Sequence, residues 1–349
     1  MAAPPFEINV LKENFSMKIT VAGSGGWGTA LALLLLENGH EVTIWSHRPE
    51  KTALLREKGE NPMLAGVPLP REMQYTSDLG DAAGSSAVLM ATPSYAVRET
   101  ARRLKPFLAP GTIVISASKG IEKDSSLRLS QVIEEELGGK CPVVVLSGPS
   151  HAEEVGRHIP TGVVVAADDM EVARQVQDLF MNSSFRVYTS DDRVGTEICA
   201  AMKNVIALCA GCCDGMGCGD NTKALLMTRG MAEMARLGVA LGGRKETFTG
   251  LAGMGDLIVT CCSMHSRNRR CGILIGQGKP VREALEEIGA VVEGYYAAAN
   301  ARTLALKAGV EMPISQAAYE VLYQGRDVHG VVSDLMSREK RSELEESWS

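Results

Sequence analysis

An α/β domain on a largely parallel sheet, followed by an all-α domain, is the fold class this sequence predicts. Three observations predict it: a strand–turn–helix–strand unit near the N-terminus with glycines at fixed spacing, a series of short apolar strands alternating with helical stretches, and a change to helical periodicity from Arg193 onward. A length of 349 residues suffices for two domains with real cores. Hydrophobic residues at 45% and charged residues at 22% fit a globular chain. The net charge of −6 argues against a general nucleic-acid or membrane-surface partner, so any anion site should be local. No apolar run comes near the roughly 18 residues of a membrane span. Residues 1–16 have neither a basic start nor an apolar core, so they read as a loose extension of a cytoplasmic protein, and not as a signal peptide. The expected division is 17–200 for the sheet domain and 201–349 for the helical domain, with the junction in 190–204 and a charged, fraying tail.

The first unit is "MKITVAGSGGWGTALALLLLENGHEVTIWSHR". Lys18 to Ala22 reads as a strand, a helix follows from about Thr29 to Asn38, and Glu41 to Trp45 reads as the second strand. Between strand and helix, Gly23, Gly25 and Gly28 give G-x-G-x-x-G, the dinucleotide turn of a Rossmann-like domain. The first glycine makes the tight turn, the second admits a pyrophosphate to the backbone, and the third packs helix on sheet. Free N–H groups at the helix start hold the anion. The second strand ends in Trp45-Ser46-His47-Arg48, where an Asp or Glu would take a ribose 2′-hydroxyl. A basic pair there admits a 2′-phosphate, so NADP or NAD is the expected cofactor, with Arg48 as a solvated surface charge the alternative.

Further strands are expected in "SSAVLMATPS", "GTIVISASKG", "CPVVVLSGPS", "TGVVVAAD" and "FRVYTSDD". Ligands of an open α/β sheet sit beyond the carboxyl ends of its strands, which nominates Ser94, Lys119, Gly148 and Ser150. In the first helix of the second domain, Lys203 and Asn204 interrupt an apolar run. Burial lowers a lysine pKa toward the working range, where it can exchange a proton with a substrate hydroxyl; a snorkelling lysine at the helix edge is the alternative. From Leu257 to Arg282 the chain has no acidic residue, yet it gathers Arg267, Arg269 and Arg270 just after Asp256. A guanidinium among amide and hydroxyl donors grips a dianionic phosphate, and Ser266-Arg267-Asn268 at a helix start would add backbone donors. Arg269 and Arg270 read as solvated surface charges, with a background positive potential the alternative. The odd count of nine cysteines includes Cys209-x-x-Cys212, followed by Cys213 and Cys218. No second pair stands at matching spacing, so no metal is expected and reduced, buried thiols are.

Several blocks together carry a family resemblance: G-S-G-G-W-G-T-A (23–30), A-S-K-G (117–120), S-G-P-S-H-A (147–152), K-N-V (203–205), G-L-A-G-M-G-D-L-I-V-T (250–260), S-R-N (266–268) and V-V-E-G (291–294). In this order, from residue 17 to about 335, the chain resembles the NAD(P)-dependent glycerol-3-phosphate dehydrogenases of the bacterial biosynthetic type. The resemblance implies reversible hydride transfer between sn-glycerol 3-phosphate and dihydroxyacetone phosphate, a supply of glycerol 3-phosphate for glycerophospholipids, and a homodimer. It implies Lys203 as the proton acceptor in oxidation, with Asp256 orienting it and Lys119 near the reacting oxygen. Gly148, Ser150, Asn204, Thr260, Ser266, Arg267 and Asn268 would complete the substrate side. Gly26, Trp27, His47, Arg48, Ala152, Val291 and Glu293 would join the glycine turn on the cofactor side, with Lys119 and Arg267 near both. Other Rossmann-plus-helical dehydrogenases, such as 6-phosphogluconate enzymes, are not expected to carry the 250–268 block.

Overall fold

The computed structural model describes residues 16–340, 342 and 343, so the expected N-terminal extension and most of the charged tail lie outside the described residues. Eight strands form one sheet: β1 (Lys18–Ala22), β2 (Glu41–Trp45), β3 (Gln74–Thr76), β4 (Ala87–Met90), β5 (Ile113–Ser116), β6 (Val143–Ser147), β7 (Thr161–Ala166) and β8 (Phe185–Ser190). Their order is β3-β2-β1-β4-β5-β6-β7-β8, which reverses direction between β1 and β4. Such a reversal opens a crevice at the carboxyl ends of the strands. Alternate residues face opposite sides. Ile19, Val21, Leu89 and Ile115 enter one core, and Ala22, Val88, Met90 and Val114 enter the other. Burial on both faces accounts for the nearly unbroken apolar strands.

The first core is closed by α1 (Gly26–Glu37), α2 (Pro49–Lys58) and later α6 (Met170–Phe180), the second by α3 (Val97–Leu104) and α4 (Leu129–Leu137). Two features depart from the sequence expectation. β3 has three residues, too few to show a period, and α1 starts at Gly26, three residues earlier than expected, because its glycines disguise a first helical turn. β7 runs antiparallel to β6, although β8 then runs parallel to β7. A parallel connection needs a crossover over the sheet. The four-residue α5 (Ala152–Val155) packs on α1 instead, and the chain re-enters the sheet at the end where β6 leaves it.

The helices of the second half are α7 (Arg193–Gly215), α8 (Asp220–Ala240), α9 (Lys245–Thr249), α10 (Asp256–Cys262), α11 (Arg267–Gly276), α12 (Val281–Ile288), α13 (Glu293–Ala308), α14 (Pro313–Gln324) and α15 (Val328–Met336). α7 is the axis, packed by α8, α10, α11, α13 and α14. It corrects one expectation: its 23 residues are long and apolar enough to cross a membrane. Burial gives the reason, since 83% of its most apolar window lies inside the protein. It also runs unbroken through residue 200, so the expected domain division falls within a helix.

Both ends of α7 are held. Asp192 caps it by accepting the Gly195 N–H at 2.8 Å. Arg193 bonds Asp168 at 2.7 Å and the Val143 carbonyl at 3.1 Å, and buried Glu197 accepts the Ser130 N–H and Oγ–H at 2.8 and 2.6 Å. Farther along, α7 and α11 touch through glycines. A Cβ on Gly211 would stand 2.0 Å from the Arg269 carbonyl oxygen, and one on Gly272 would stand 2.0 Å from that of Leu208. This contact sets where the start of α11 lies against Lys203 and Asn204. Gly272→Ala should therefore overpack the pair and cost about 1–3 kcal/mol. The midpoint of urea unfolding measures it, and an unshifted midpoint would mean the helices separate freely.

Candidate active site

The ends of β4, β5 and β6, the middle of α7 and the first turns of α10 and α11 come together. Lys119, from the segment after β5, donates to the Gly148 carbonyl at 3.1 Å and to Asp256 Oδ2 at 2.7 Å. Lys203, from the middle of α7, donates to Asp256 Oδ1 at 2.5 Å and to Thr260 Oγ1 at 2.8 Å. Thr260 passes its own hydrogen to the Asp256 carbonyl at 2.6 Å. Ser150 Oγ donates to the Gly148 carbonyl at 2.9 Å. Six expected residues from four separate stretches thus form one bonded group.

Its electrostatics follow from burial. Asp256 is 1% exposed and Lys203 is 5% exposed, so neither charge is solvated. Burial brings the Lys203 ammonium down to about 8; the Asp256 carboxylate opposes that shift and the Lys119 charge adds to it. Burial alone would push the Asp256 carboxyl up, yet the two ammonium groups together hold it below its usual range. Two lysines on one carboxylate leave a net positive centre when both are protonated. A lysine tuned to about 8 is a competent general acid or base near neutrality. The snorkelling alternative for Lys203 is excluded by its burial and its two bonds.

A second polar chain lies beside the first. Asn268 Nδ2 donates to Asn204 Oδ1 at 2.9 Å, and Asn268 Oδ1 accepts the Gly294 N–H at 2.8 Å. Asn204 Nδ2 in turn donates to the Ala200 carbonyl at 3.2 Å. Ser266 caps α11, accepting the Arg269 N–H at 3.2 Å, so Ser266-Arg267-Asn268 does stand at a helix start. Arg267 is exposed, and its charge partly offsets the burial that pushes the Glu293 carboxyl up. Glu293 opens α13, two residues after Val291, and accepts the Ser94 Oγ–H at 2.8 Å and N–H at 3.3 Å. The two halves of the chain are bridged there.

Arg269 needs correction. It bonds Asp214 through Nε at 2.7 Å and the Cys262 carbonyl through Nη1 at 3.0 Å, so it braces α11 against α7 and is no solvated charge. Asp214 lies 55 residues away, beyond any local charge pattern. Arg270 is exposed, as expected. Sequence reasoning missed His151, whose half-buried ring lies 5.6 Å from that of His265, with Nε2 3.4 Å from the Val259 carbonyl. Burial pulls its pKa down, and its position next to Ser150 was the available signal.

The residues at the glycine turn fit a dinucleotide. Gly23 adopts φ +135, and a Cβ there would stand 2.5 Å from the Ala91 carbonyl oxygen. A Cβ on Gly28 would meet the Gly23 carbonyl oxygen at 2.1 Å, whereas one on Gly25 would point into open space. Two glycines are demanded by the protein, and the third leaves room for a ligand. α1 begins at Gly26 with no side-chain cap and no acidic residue in its first turn, so its N–H groups face outward for an anion. Trp27 Nε1 donates to the Ala117 carbonyl at 3.2 Å, tying this turn to the segment bearing Lys119. Ala152 lies 3.7 Å from the position of a Cβ on Gly26. His47 and Arg48 stand apart from the lysine group, exposed at the end of β2, with Arg48 Nε 3.2 Å from His47 Nε2. All nine cysteines are free thiols, and among the described residues no three His, Cys, Asp or Glu side chains are grouped to hold a metal ion.

Comparison with known proteins points the same way. Residues 18–173 match the family described as NAD-dependent glycerol-3-phosphate dehydrogenase N-terminus, and residues 192–333 match its C-terminus. A glycerol-3-phosphate dehydrogenase (NAD(P)+) of Moorella thermoacetica is 55% identical over 94% of this chain and 98% of its own length. That of Desulfitobacterium hafniense is 51% identical over 94% of both chains. The crystal structure of the Coxiella burnetii glycerol-3-phosphate dehydrogenase superposes with a TM-score of 0.90 at 37% identity, covering 93% of this chain and all of that one. A D-mandelate dehydrogenase, at 16% identity and a TM-score of 0.62, shares the fold alone. With both family halves matched in order across the described fold, this chain belongs to the NAD-dependent glycerol-3-phosphate dehydrogenases.

Proposed function

We propose that this chain interconverts sn-glycerol 3-phosphate and dihydroxyacetone phosphate with NAD(P), and so supplies glycerol 3-phosphate for glycerophospholipid synthesis. The observation that carries the reading is the buried Lys119–Asp256–Lys203 group beside a dinucleotide turn, in a chain half identical to enzymes of that name. When bound, the nicotinamide accepts or donates the hydride. Lys203 takes the hydroxyl proton in oxidation and returns it in reduction, with Asp256 and Thr260 aiming its Nζ. Lys119 provides positive charge where the oxygen becomes anionic. Gly148 and Ser150 line the substrate side. Asn204 holds Asn268, so that Ser266, Arg267 and Asn268 present donors to the phosphate. On the cofactor side stand Gly23, Gly25, Gly26, Trp27 and Gly28 at the pyrophosphate, with Ala152, Val291 and Glu293 farther along. Consumption of reduced nicotinamide on adding dihydroxyacetone phosphate, followed by absorbance with NADH and NADPH in parallel, tests the reading. No turnover with either cofactor would refute it.

His47 and Arg48 stand where a ribose 2′-phosphate would lie. Arg48→Ala should raise the KM for NADPH several-fold more than that for NADH; equal losses would remove Arg48 from cofactor choice. The homodimer rests on the family resemblance, and sedimentation velocity tests it.

A further inference from the structure

Away from the lysine group, the C-terminus of α7 brings two thiols together. Gly217 adopts φ +76, its N–H bonds the Asp214 carbonyl at 3.1 Å, and the Cys218 N–H bonds the Cys213 carbonyl at 2.9 Å. These paired bonds form a Schellman stop, in which the side chain just after the left-handed residue packs against the one four residues before that residue. Here the two positions are Cys213 and Cys218, and burial together with the neighbouring Cys218 thiol pushes the Cys213 thiol up to about 11. We propose that Cys213 and Cys218 are a redox modification site, closing to a disulfide on exposure to a small-molecule disulfide and reopening with thiol.

Three properties support it. Cys218 is partly exposed on the turn between α7 and α8, while Cys213 is buried behind it, so one sulfur can be reached from solvent and the other is positioned to resolve. Gly217 and Gly219 stand on either side of Cys218 with open space about them, so the backbone there has the freedom to draw the sulfurs to bonding distance. The remaining cysteines are poorly placed. Cys141, Cys199, Cys212, Cys261 and Cys271 are buried, burial pushes the Cys209 thiol well up, and the exposed Cys262 adjoins the buried Cys261 in sequence.

The chemistry balances. The Cys218 thiolate attacks one sulfur of the oxidant, whose S–S bond breaks and releases a thiolate, leaving a mixed disulfide on Cys218. Cys213 then loses its proton, and its sulfur displaces the second thiolate. The two protein protons end on the two released thiols. The protein is oxidised by two electrons and the oxidant is reduced by two.

The test treats the intact protein with oxidised glutathione and maps its tryptic peptides. The peptide Asn204–Lys223 carries Cys209, Cys212, Cys213 and Cys218. In the parent it should lose the mass of two hydrogens, with fragmentation joining Cys213 to Cys218, and dithiothreitol should restore it. Cys213→Ser should instead hold a stable glutathione adduct on Cys218, and Cys218→Ser should leave the peptide unmodified. Both variants should keep the parent dehydrogenase activity when reduced, which shows that they fold. A persistent adduct on Cys218 in the parent, a link between Cys209 and Cys212, or an unmodified peptide would each overturn the proposal.

Discussion

Replacing Lys203 by Met will leave a folded protein whose turnover falls by roughly 10²–10⁴-fold, the loss typical of a general acid–base group. Methionine keeps most of the buried volume, and Asp256 retains Lys119 at 2.7 Å, so the carboxylate is not abandoned in the core. The loss should fall mainly on kcat, because the proton transfer belongs to the transition state. Turnover within a few-fold of the parent would dismiss Lys203 from proton transfer. The same assignment fixes a pH dependence. With the ammonium brought down to about 8, oxidation needs the neutral amine. Its kcat/KM should therefore rise about tenfold per unit as pH increases toward that value and level off above it. Reduction needs the ammonium, so its profile should be flat below that value and fall above it. Parallel profiles in the two directions would contradict the role.

Arg267→Ala is expected to lower kcat/KM at least about a hundredfold, since charge-assisted hydrogen bonds are worth about 1.5–3 kcal/mol each. Arg267 is the exposed residue that opens α11, while its neighbour Arg269 is committed to Asp214. Phosphate binding also aligns the reacting carbon, so part of the loss should appear in kcat. Lysine should rescue poorly, because a point charge cannot reproduce a planar fork of donors. The decisive quantity is the ratio of activity on dihydroxyacetone phosphate to that on dihydroxyacetone. It should collapse in Arg267→Ala; an unchanged ratio would mean that the phosphate is held elsewhere.

Much of this could be read along the chain. The two strands around the glycine turn end where the short apolar runs say they should, because a parallel strand buried on both faces leaves a nearly unbroken apolar word. Gly23 and Gly28 announce themselves since no other residue fits against the Ala91 and Gly23 carbonyls. Lys203 is conspicuous as a charge inside a helix that has nowhere to face water.

What the sequence by itself determined, then, are the features whose cause lies within a few residues: the turn, the strand periods, the start of α11 and the lysine in an apolar helix. The family resemblance set Asp256 beside Lys203, 53 residues away, but tertiary structure alone decided the other charge pairs: Lys119 and Asp256 are 137 residues apart, and Arg269 finds Asp214 across 55. It also decided the direction of β7, because a short α5 packed on α1 instead of crossing the sheet. The physical reason is common to all of these. A period or a glycine acts on its own backbone, whereas an ion pair or a strand direction depends on where packing delivers a distant segment, and only the folded chain sets that distance.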